Sequence, residues 1–245
     1  MGSRKYGWQP DIPDKRDFLY QAIKPVIRLP NKVDLCQDCS EIEDQGRLGS
    51  CTAQALAGNL EFLDKKTDSQ YIDVSRLFIY YNERLLMDTV EYDSGASLRV
   101  GIKTLKNDGA CAEKLWPYLI QRFSETPSQK CYDEAKEHCI VSYHRINNLR
   151  EMLVCLAEGY PFVFGFTVYE SFESPKVAST GEVPMPKKDE RAIGGHAVMA
   201  TGYAQERKRF LVRNSWGEKW GRKGYFTMPF EYLESLAADF WTIRK

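Results

Sequence analysis

A cysteine, a histidine and an asparagine are the residues of this sequence best suited to chemistry. Cys51 begins a predicted helix and follows a turn of small residues. A helix N-terminus carries partial positive charge and unpaired N–H groups, which favour the thiolate, the nucleophilic form of cysteine. His196 lies on a predicted strand next to glycines, and Asn214 ends the neighbouring predicted strand, where its amide oxygen could orient the imidazole. These residue types predict acyl transfer through a thiol nucleophile.

Gln45, shortly before Cys51, could complete such a site. Its side-chain amide and the backbone N–H of Cys51 could together stabilise an oxyanion. Each residue also has a simpler interpretation when taken alone. Cys51 could be a buried core thiol, His196 a core histidine with satisfied hydrogen bonds, and Asn214 a turn cap. The joint occurrence of all four residue types favours catalysis.

Three segments of the sequence, residues 44–51, 194–198 and 213–217, together resemble the papain-like cysteine peptidase family. They read DQGRLGSC, GGHAV and RNSWG and occur in the order typical of that family. The sequences LGSCT and GGHAV are most similar to its bacterial and viral branch. The resemblance covers the chain from about Val33 to the C-terminus. It implies a cysteine peptidase that cleaves peptide bonds through a thioester acyl-enzyme.

The resemblance also assigns expected roles to individual residues. Cys51 would be the nucleophile, His196 the acid and base, and Asn214 the residue that orients His196. Gln45 would assist the oxyanion, and Trp216 would shield the hydrogen bond between Asn214 and His196. By the same resemblance, Gly95, Ala197 and Trp216 would contribute to substrate binding. The sequence departs from the common pattern with Leu48 in place of a disulfide cysteine, Thr52 in place of a tryptophan and Gly195 in place of an acidic residue.

The order of predicted elements agrees with the fold that the resemblance implies. Helical periodicity predicts helices over residues 51–66, 75–87, 97–106 and 149–158. In the second of these, Leu77, Tyr80, Tyr81 and Leu85 form the predicted buried face. Aromatic and β-branched runs predict strands over residues 161–168, 196–203, 209–214, 225–228 and 240–243. We therefore expect an α+β, papain-like fold, with a helical subdomain, an antiparallel β subdomain and the active-site cleft between them.

Composition limits the classes of partner. The 245 residues include 34 Lys+Arg and 34 Asp+Glu, so the formal net charge is zero. This balance argues against a general nucleic-acid binder, and we expect peptide or protein substrates, no nucleic acid and no membrane. The longest apolar runs are too short for a spanning helix. No signal peptide is visible, which leaves a secreted or lysosome-like compartment open.

The N-terminal 32 residues form a separate predicted unit, an arm ahead of a peptidase domain over residues 33–245. Trp8 and four prolines, Pro10, Pro13, Pro25 and Pro30, indicate an extended segment. We expect this arm to lie near or across the cleft as a short inhibitory segment. A second irregular segment, residues 171–195, is predicted to be a long loop that either borders the primed side of the cleft or is only a solvated insertion.

Seven cysteines leave further alternatives open, because an odd number cannot all pair within one chain. Cys36 and Cys39 could be a redox pair or half of a zinc site, with Cys131, His138, Cys139 and His144 as further ligands. Buried thiols or a disulfide through Cys39 or Cys131 fit better, so no metal or other cofactor is expected. A catalytically silent binding protein and a ligase-like acyl transferase with the same thiol are the alternative functions.

Overall fold

Seven α-helices and seven strands are the main elements of the described part of the chain. The structure is a computed structural model, and it describes residues 5–22, 28–67 and 71–245. The helices are α1 (Cys51–Thr67), α2 (Arg76–Leu86), α3 (Leu98–Asn107), α4 (Gln129–Ala135), α5 (Leu149–Ala157), α6 (Pro175–Thr180) and α7 (Phe230–Leu236). The strands are β1 (Lys32–Asp34), β2 (Ser142–Arg145), β3 (Phe162–Tyr169), β4 (Ala192–Ala204), β5 (Arg209–Arg213), β6 (Tyr225–Pro229) and β7 (Ala237–Arg244).

The strands form one antiparallel sheet in the order β2-β7-β3-β4-β5-β6, with β1 added to β4. Side chains along β3 alternate between its two faces. Val163 belongs to the core shared with α1, α2 and α3. Phe164 and Phe166 belong to a second core, on the side of α5 and α7. One face of the sheet therefore packs against the helical subdomain, and the other face forms the core of the β subdomain with α5 and α7. This arrangement confirms the α+β, papain-like fold.

Helix α1 is the central element of the helical subdomain. Every residue from Cys51 to Asp64 is buried, and the helix packs against β4 as well as α2 and α3. Side-chain caps define several other helix starts. Ser75, Ser97 and Asn148 each accept a backbone N–H from the first turn of the helix that follows. The four helices predicted from periodicity are confirmed, with ends within two residues of the prediction.

The predicted buried face of α2 is wrong at one position. Leu85 is 53% exposed, whereas the neighbouring Arg84 is fully buried. The Arg84 guanidinium donates to the backbone carbonyls of Val90, Tyr92 and Phe123 and lies over the Tyr80 ring. A charged side chain can be buried when its donors are satisfied in this way.

The segment over residues 171–195 is less irregular than predicted. It contains the short helix α6, which Ser174 caps by accepting the N–H of Val177. Gly181 ends this helix in the left-handed conformation, with φ +66°. Strand β4 then begins at Ala192, before the predicted start at His196. Pro175 and Gly181 therefore mark the ends of a short helix, whereas residues 181–191 are irregular, as predicted.

Candidate active site

Cys51 lies at the first position of α1, at the junction of the two subdomains. Its side chain is fully buried. Burial raises the pKa of the Cys51 thiol to about 11, while the backbone N–H groups of Ala197, Gly7 and Thr52 act in the opposite direction. The contact with Ala197 brings the Cys51 sulfur next to the strand position that follows His196. Two features of the fold, a helix start and strand β4, therefore meet at this thiol.

His196 and Asn214 are joined by a hydrogen bond. The His196 Nε2 atom lies 2.8 Å from Asn214 Oδ1. The same amide oxygen accepts the backbone N–H of Ser215 at 2.9 Å, which fixes its orientation. Because this oxygen is an acceptor, the Nε2 atom of His196 carries the proton in the bond between them. The pairing of β4 with β5 brings the two side chains together.

Aromatic rings enclose this hydrogen bond. The Trp216 ring stacks on the imidazole of His196, with centroids 4.9 Å apart and planes at 28°. Phe166 and Phe172 approach the imidazole edge-on or tilted at 5.7 Å and 6.4 Å. His196 is fully buried and Asn214 nearly so. The shielding position expected for Trp216 agrees with this geometry.

Both the oxygen and the nitrogen of the Gln45 side-chain amide form hydrogen bonds. Its Oε1 atom accepts the hydroxyl of Ser215 at 2.7 Å, and its Nε2 atom donates to the carbonyl of Leu48 at 3.0 Å. The backbone N–H of Gln45 also donates to the Ser215 carbonyl at 2.9 Å. The amide nitrogen further faces the carbonyl of Lys5, at 3.5 Å. The segment that contains Asn214 and Ser215 therefore positions both His196 and Gln45.

Residues 5–9 of the arm cross the site directly. The carbonyl of Gly7 accepts the N–H of Ala96 at 2.8 Å, and the N–H of Gln9 donates to the Ala96 carbonyl at 2.9 Å. Between them, the N–H of Trp8 donates to the carbonyl of Gly195 at 3.1 Å. These hydrogen bonds pair the arm with both sides of the cleft, with Ala96 in the helical subdomain and with Gly195 in the β subdomain.

The predicted substrate-binding residues lie under this segment. Gly95 has φ +73°, and a Cβ atom there would come within 2.0 Å of the Gly7 carbonyl oxygen. Glycine is therefore required at position 95 for both its backbone conformation and the close approach of the arm. The Trp216 ring contacts Tyr6, with centroids 6.3 Å apart. Ala197 lies beside Cys51, because its backbone N–H bonds to the Cys51 sulfur and lowers the pKa of the thiol.

Two further contacts hold the start of the arm. The ammonium group of Lys5 pairs with Asp93 at 2.6 Å, and the hydroxyl of Tyr6 donates to Glu173. The Tyr6 ring also meets the imidazole of His196 edge-on at 6.3 Å. Glu173 belongs to the segment over residues 171–195, so this segment does border the site.

Sequence reasoning missed three residues that support the site. Ser215 holds Gln45, and Asp93 accepts the N–H of Gly49 and the hydroxyl of Tyr80. Glu83 is fully buried behind Cys51, accepts the hydroxyl of Thr52 at 2.8 Å, and has its pKa raised to about 8 by burial. Ser215 had a signal as part of the RNSWG motif, and Asp93 had a weaker one in the run DSG that ends at Gly95. Glu83 is a carboxylate in ordinary helical sequence and had none.

The alternative metal site finds no support in residues 5–22, 28–67 and 71–245. Within these ranges, no three His, Cys, Asp or Glu side chains are grouped so that they could hold a metal ion. All seven cysteines fall in the same ranges and carry free thiols. Among the helices of the described chain, none is long and apolar enough to span a membrane.

Known proteins resemble this chain along its whole length. A family model described as "Papain family cysteine protease" matches residues 29–234. A peptidase C1-like protein of Acanthamoeba polyphaga mimivirus is 43% identical, over 99% of this chain and 88% of its own. The crystal structure of xylellain, a cysteine protease from Xylella fastidiosa, is 44% identical with a TM-score of 0.92, and covers 100% of this chain and 98% of its own.

More distant relatives agree in family or in fold. Pro-cathepsin H of Mus musculus is 26% identical over 76% of this chain and 55% of its own. A digestive procathepsin L 3 of Tenebrio molitor has the same fold, with a TM-score of 0.73 at 15% identity, over 94% of this chain and 75% of its own. The matched family model covers most of the chain, and its viral and bacterial relatives agree with the branch expected from the sequence. The chain belongs to the papain family of cysteine proteases.

Proposed function

We propose that this protein hydrolyses peptide bonds through Cys51, His196, Asn214 and Gln45, with a thioester acyl-enzyme intermediate. The observation that carries the proposal is the hydrogen bond between His196 Nε2 and Asn214 Oδ1. Ala197, the residue after His196 on β4, contacts the Cys51 sulfur through its backbone N–H. A base that is oriented by a third group beside a thiol is the arrangement that activates a nucleophile.

The first half of the reaction uses the proton on Nδ1 of His196. Because Nε2 donates to Asn214, Nδ1 is the ring atom that exchanges a proton with Cys51. The Cys51 thiolate attacks the peptide carbonyl carbon, a C–S bond forms, and the carbonyl oxygen becomes an oxyanion. The Gln45 amide and the Cys51 backbone N–H stabilise this oxyanion. His196 then gives its proton to the amine nitrogen as the C–N bond breaks.

The second half releases the acyl group. His196, now neutral, takes a proton from water, and the resulting hydroxide attacks the thioester carbon. The C–S bond breaks and the carboxylic acid leaves. Trp216 and the surrounding aromatic rings exclude water from the bond between His196 and Asn214, so the imidazole keeps one orientation through both steps.

Replacing Gln45 by alanine tests the oxyanion assignment. Loss of one oxyanion donor lowers kcat by about 10²–10³-fold, and we expect Gln45→Ala to fall in this range on a fluorogenic peptide. Ser215→Ala is the graded control, because it keeps the amide and removes only the hydroxyl that orients it. Its loss in kcat should be clearly smaller. An unchanged kcat in Gln45→Ala would exclude the assigned role.

We also propose that residues 1–32 act as an inhibitory arm of the peptidase domain over residues 33–245, and that residues 5–9 block the site. Support comes from the backbone pairing of Gly7, Trp8 and Gln9 with both sides of the cleft. Lys5 approaches the Gln45 amide, the group assigned to the oxyanion. A peptide substrate would need the same space.

The arm is bound as an inhibitor and not as a substrate. Gly7 presents its backbone N–H to the Cys51 sulfur, and its carbonyl oxygen is bonded to Ala96. A thiolate cleaves a peptide by attacking a carbonyl carbon, so an N–H at the sulfur is unproductive. Burial also raises the pKa of the Cys51 thiol to about 11, which favours its protonated, less nucleophilic form.

The second part of the arm is anchored in the body of the protein. Asp11 is buried, where it accepts the indole N–H of Trp241 at 2.8 Å and the N–H of Arg99 at 3.0 Å. Tyr20 is buried in the second core. Deleting the whole arm would remove these contacts together with residues 5–9. Point variants at Tyr6 or Trp8 therefore test inhibition more cleanly than a truncation.

A further inference from the structure

The peptide unit between Leu48 and Gly49 connects the candidate oxyanion group to a carboxylate on the other side of the turn. Its carbonyl accepts a hydrogen bond from Nε2 of Gln45 at 3.0 Å. Its N–H donates to Asp93, at 3.0 Å from Oδ1 and 3.2 Å from Oδ2. A trans peptide unit is planar, so an acceptor that fixes the direction of the N–H also fixes the direction of the carbonyl. Asp93 therefore acts on Gln45 through one rigid group.

The direction of the Leu48 carbonyl decides where the Gln45 amide points. Oε1 of Gln45 already accepts the hydroxyl of Ser215, and Nε2 carries two hydrogens. The Leu48 carbonyl binds one of these hydrogens. The same nitrogen faces the carbonyl oxygen of Lys5 in the arm, at 3.5 Å. The second hydrogen is thus left for a carbonyl oxygen in the cleft.

This peptide unit would reorient readily without the carboxylate. Leu48 and Gly49 are buried, so an N–H without an acceptor is unfavourable and the unit gains by turning it towards another partner. Gly49 permits such a rotation, because glycine has no Cβ atom and adopts a wide range of φ. A Cβ atom here would lie 3.1 Å from Oδ1 of Asp93, so the close approach of the carboxylate favours glycine at this position.

Asp93 is itself held in place from behind. Its side chain is 10% exposed, and Oδ1 also accepts the hydroxyl of Tyr80, a fully buried residue of α2. The same hydroxyl accepts the N–H of Gly95 at 3.0 Å. Arg84 binds the carbonyl of Tyr92, the residue directly before Asp93, at 3.2 Å. The carboxylate is thus a fixed acceptor and not a mobile surface charge.

The two oxygens of Asp93 divide between the site and the arm. Oδ1 takes the shorter bond from Gly49 and the bond from Tyr80. Oδ2 pairs with the ammonium group of Lys5 at 2.6 Å. Asparagine at this position keeps an acceptor oxygen for the two donors and places an NH₂ group where Oδ2 lies. The substitution Asp93→Asn therefore keeps the contacts to the site and removes the ion pair to the arm.

We propose that Asp93 is a positioning residue for the oxyanion group, because it orients the peptide unit between Leu48 and Gly49 and thereby the amide of Gln45. The inference rests on the proposed function, which assigns the oxyanion to Gln45. It adds a residue that acts on the reaction through Gln45 and not by contact with the reacting atoms.

Substitutions at Asp93 in the full chain with Trp8→Ala test the proposal, since the arm is already displaced in this background. We expect Asp93→Ala to lower kcat on a fluorogenic peptide by about 10-fold, which is less than the loss of the oxyanion donor itself causes. KM should stay within about 3-fold of the parent value, because the oxyanion forms only after attack. Asp93→Asn should restore kcat to within about 3-fold. Lys5→Met is the control for the ion pair and should leave kcat unchanged.

A double-mutant cycle with Gln45→Ala separates positioning from a general structural role. If Asp93 acts through Gln45, Asp93→Ala should change kcat by less than about 2-fold once Gln45→Ala is present, whereas independent effects would multiply. Asp93→Glu moves the carboxylate by one methylene, and it replaces Asp93→Ala in this cycle if alanine impairs folding. An unchanged kcat in the Asp93 variant, or the same loss with and without Gln45, would overturn the inference and leave the proposed function standing.

The side-chain amide signal of Gln45 tests the geometry without catalysis. In a nitrogen-15 NMR spectrum of the full chain with Cys51→Ala, this signal is the one that Gln45→Ala removes. Asp93→Ala should shift or broaden it, Asp93→Asn should leave it near its original position, and the signal of the exposed Gln129 should not move. These changes in a chain whose Cys51 parent hydrolyses nothing would support the positioning role while the proposed function fails. A Gln45 signal that ignores Asp93→Ala would overturn the inference.

Discussion

Replacing Cys51 with alanine is expected to abolish peptide hydrolysis, with a loss in kcat of about 10⁶-fold. The variant removes the sulfur that forms the thioester and leaves His196 and Asn214 without a nucleophile to activate. The measurement is kcat of the full chain on a fluorogenic peptide, with and without the substitution. Mass spectrometry of the quenched reaction should also lose the acyl adduct.

Cys155→Ala is the matched control for this experiment. Cys155 is also a fully buried thiol on a helix, and burial raises its pKa to about 11 as well. It lies in the second core and donates to the carbonyl of Tyr160. Its replacement should lower stability and leave kcat of the folded protein within a few-fold of the original. Comparable hydrolysis by the Cys51→Ala and Cys155→Ala chains would exclude Cys51 as the nucleophile.

Replacing Trp8 with alanine is expected to activate the enzyme. Truncating a well-packed, buried tryptophan to alanine lowers stability by about 3–5 kcal/mol. Because Trp8 is only partly buried, we use the lower value, about 3 kcal/mol, for the contacts that hold the arm in place. A factor of ten corresponds to about 1.4 kcal/mol, which shifts the arm towards the open state by about 10²-fold. Initial rates on a fluorogenic peptide should rise by about 10–100-fold at the same enzyme concentration.

The control for the arm is Phe18→Ala. Phe18 is also an aromatic residue of the arm, but it is 66% exposed and lies beside Tyr143, away from Cys51. Its removal should leave the rate unchanged. If Trp8→Ala and Phe18→Ala have the same rate as the original chain, residues 5–9 do not inhibit the enzyme. The proposed role of the arm would then be wrong.

The sequence was sufficient for the elements that carry strong periodicity or turn signals. Helix α1 was predictable because a glycine- and serine-containing turn precedes a regular apolar stripe that starts at Cys51. Strand β3 was predictable from its aromatic and β-branched run. The order of Gln45, Cys51, His196 and Asn214 located the candidate site, because each residue lies in a motif and not at an isolated position.

Short and polar elements were not predictable, because their partners stabilise them. Strand β1 has only three residues, and it exists through pairing with Tyr203 and its neighbours on β4. Helix α7 follows β6 directly, in sequence with no distinctive cap. Leu85 was misplaced since hydrophobicity alone cannot reveal that Arg84 satisfies its donors on buried carbonyls.

The contact between Trp8 and Gly165 of β3 was also invisible in the sequence. The two residues are far apart along the chain, and a lone glycine in a strand has several meanings. The arm was expected near the cleft from its aromatic and proline content alone. Its register, with Trp8 over Gly165 and Gly7 over Gly95, depends on backbone hydrogen bonds that no sequence pattern specifies.

Labelling of the seven cysteines tests the central claim most directly. The full chain with Trp8→Ala would be treated with an epoxysuccinyl peptide and analysed by peptide mass mapping. We expect stoichiometric modification of Cys51 alone, because its sulfur receives the N–H of Ala197, the residue after the oriented His196. Modification should be slower in the chain that retains Trp8. Modification scattered over several cysteines, or an unmodified Cys51 in the folded Trp8→Ala protein, would contradict the assignment of Cys51 as the nucleophile.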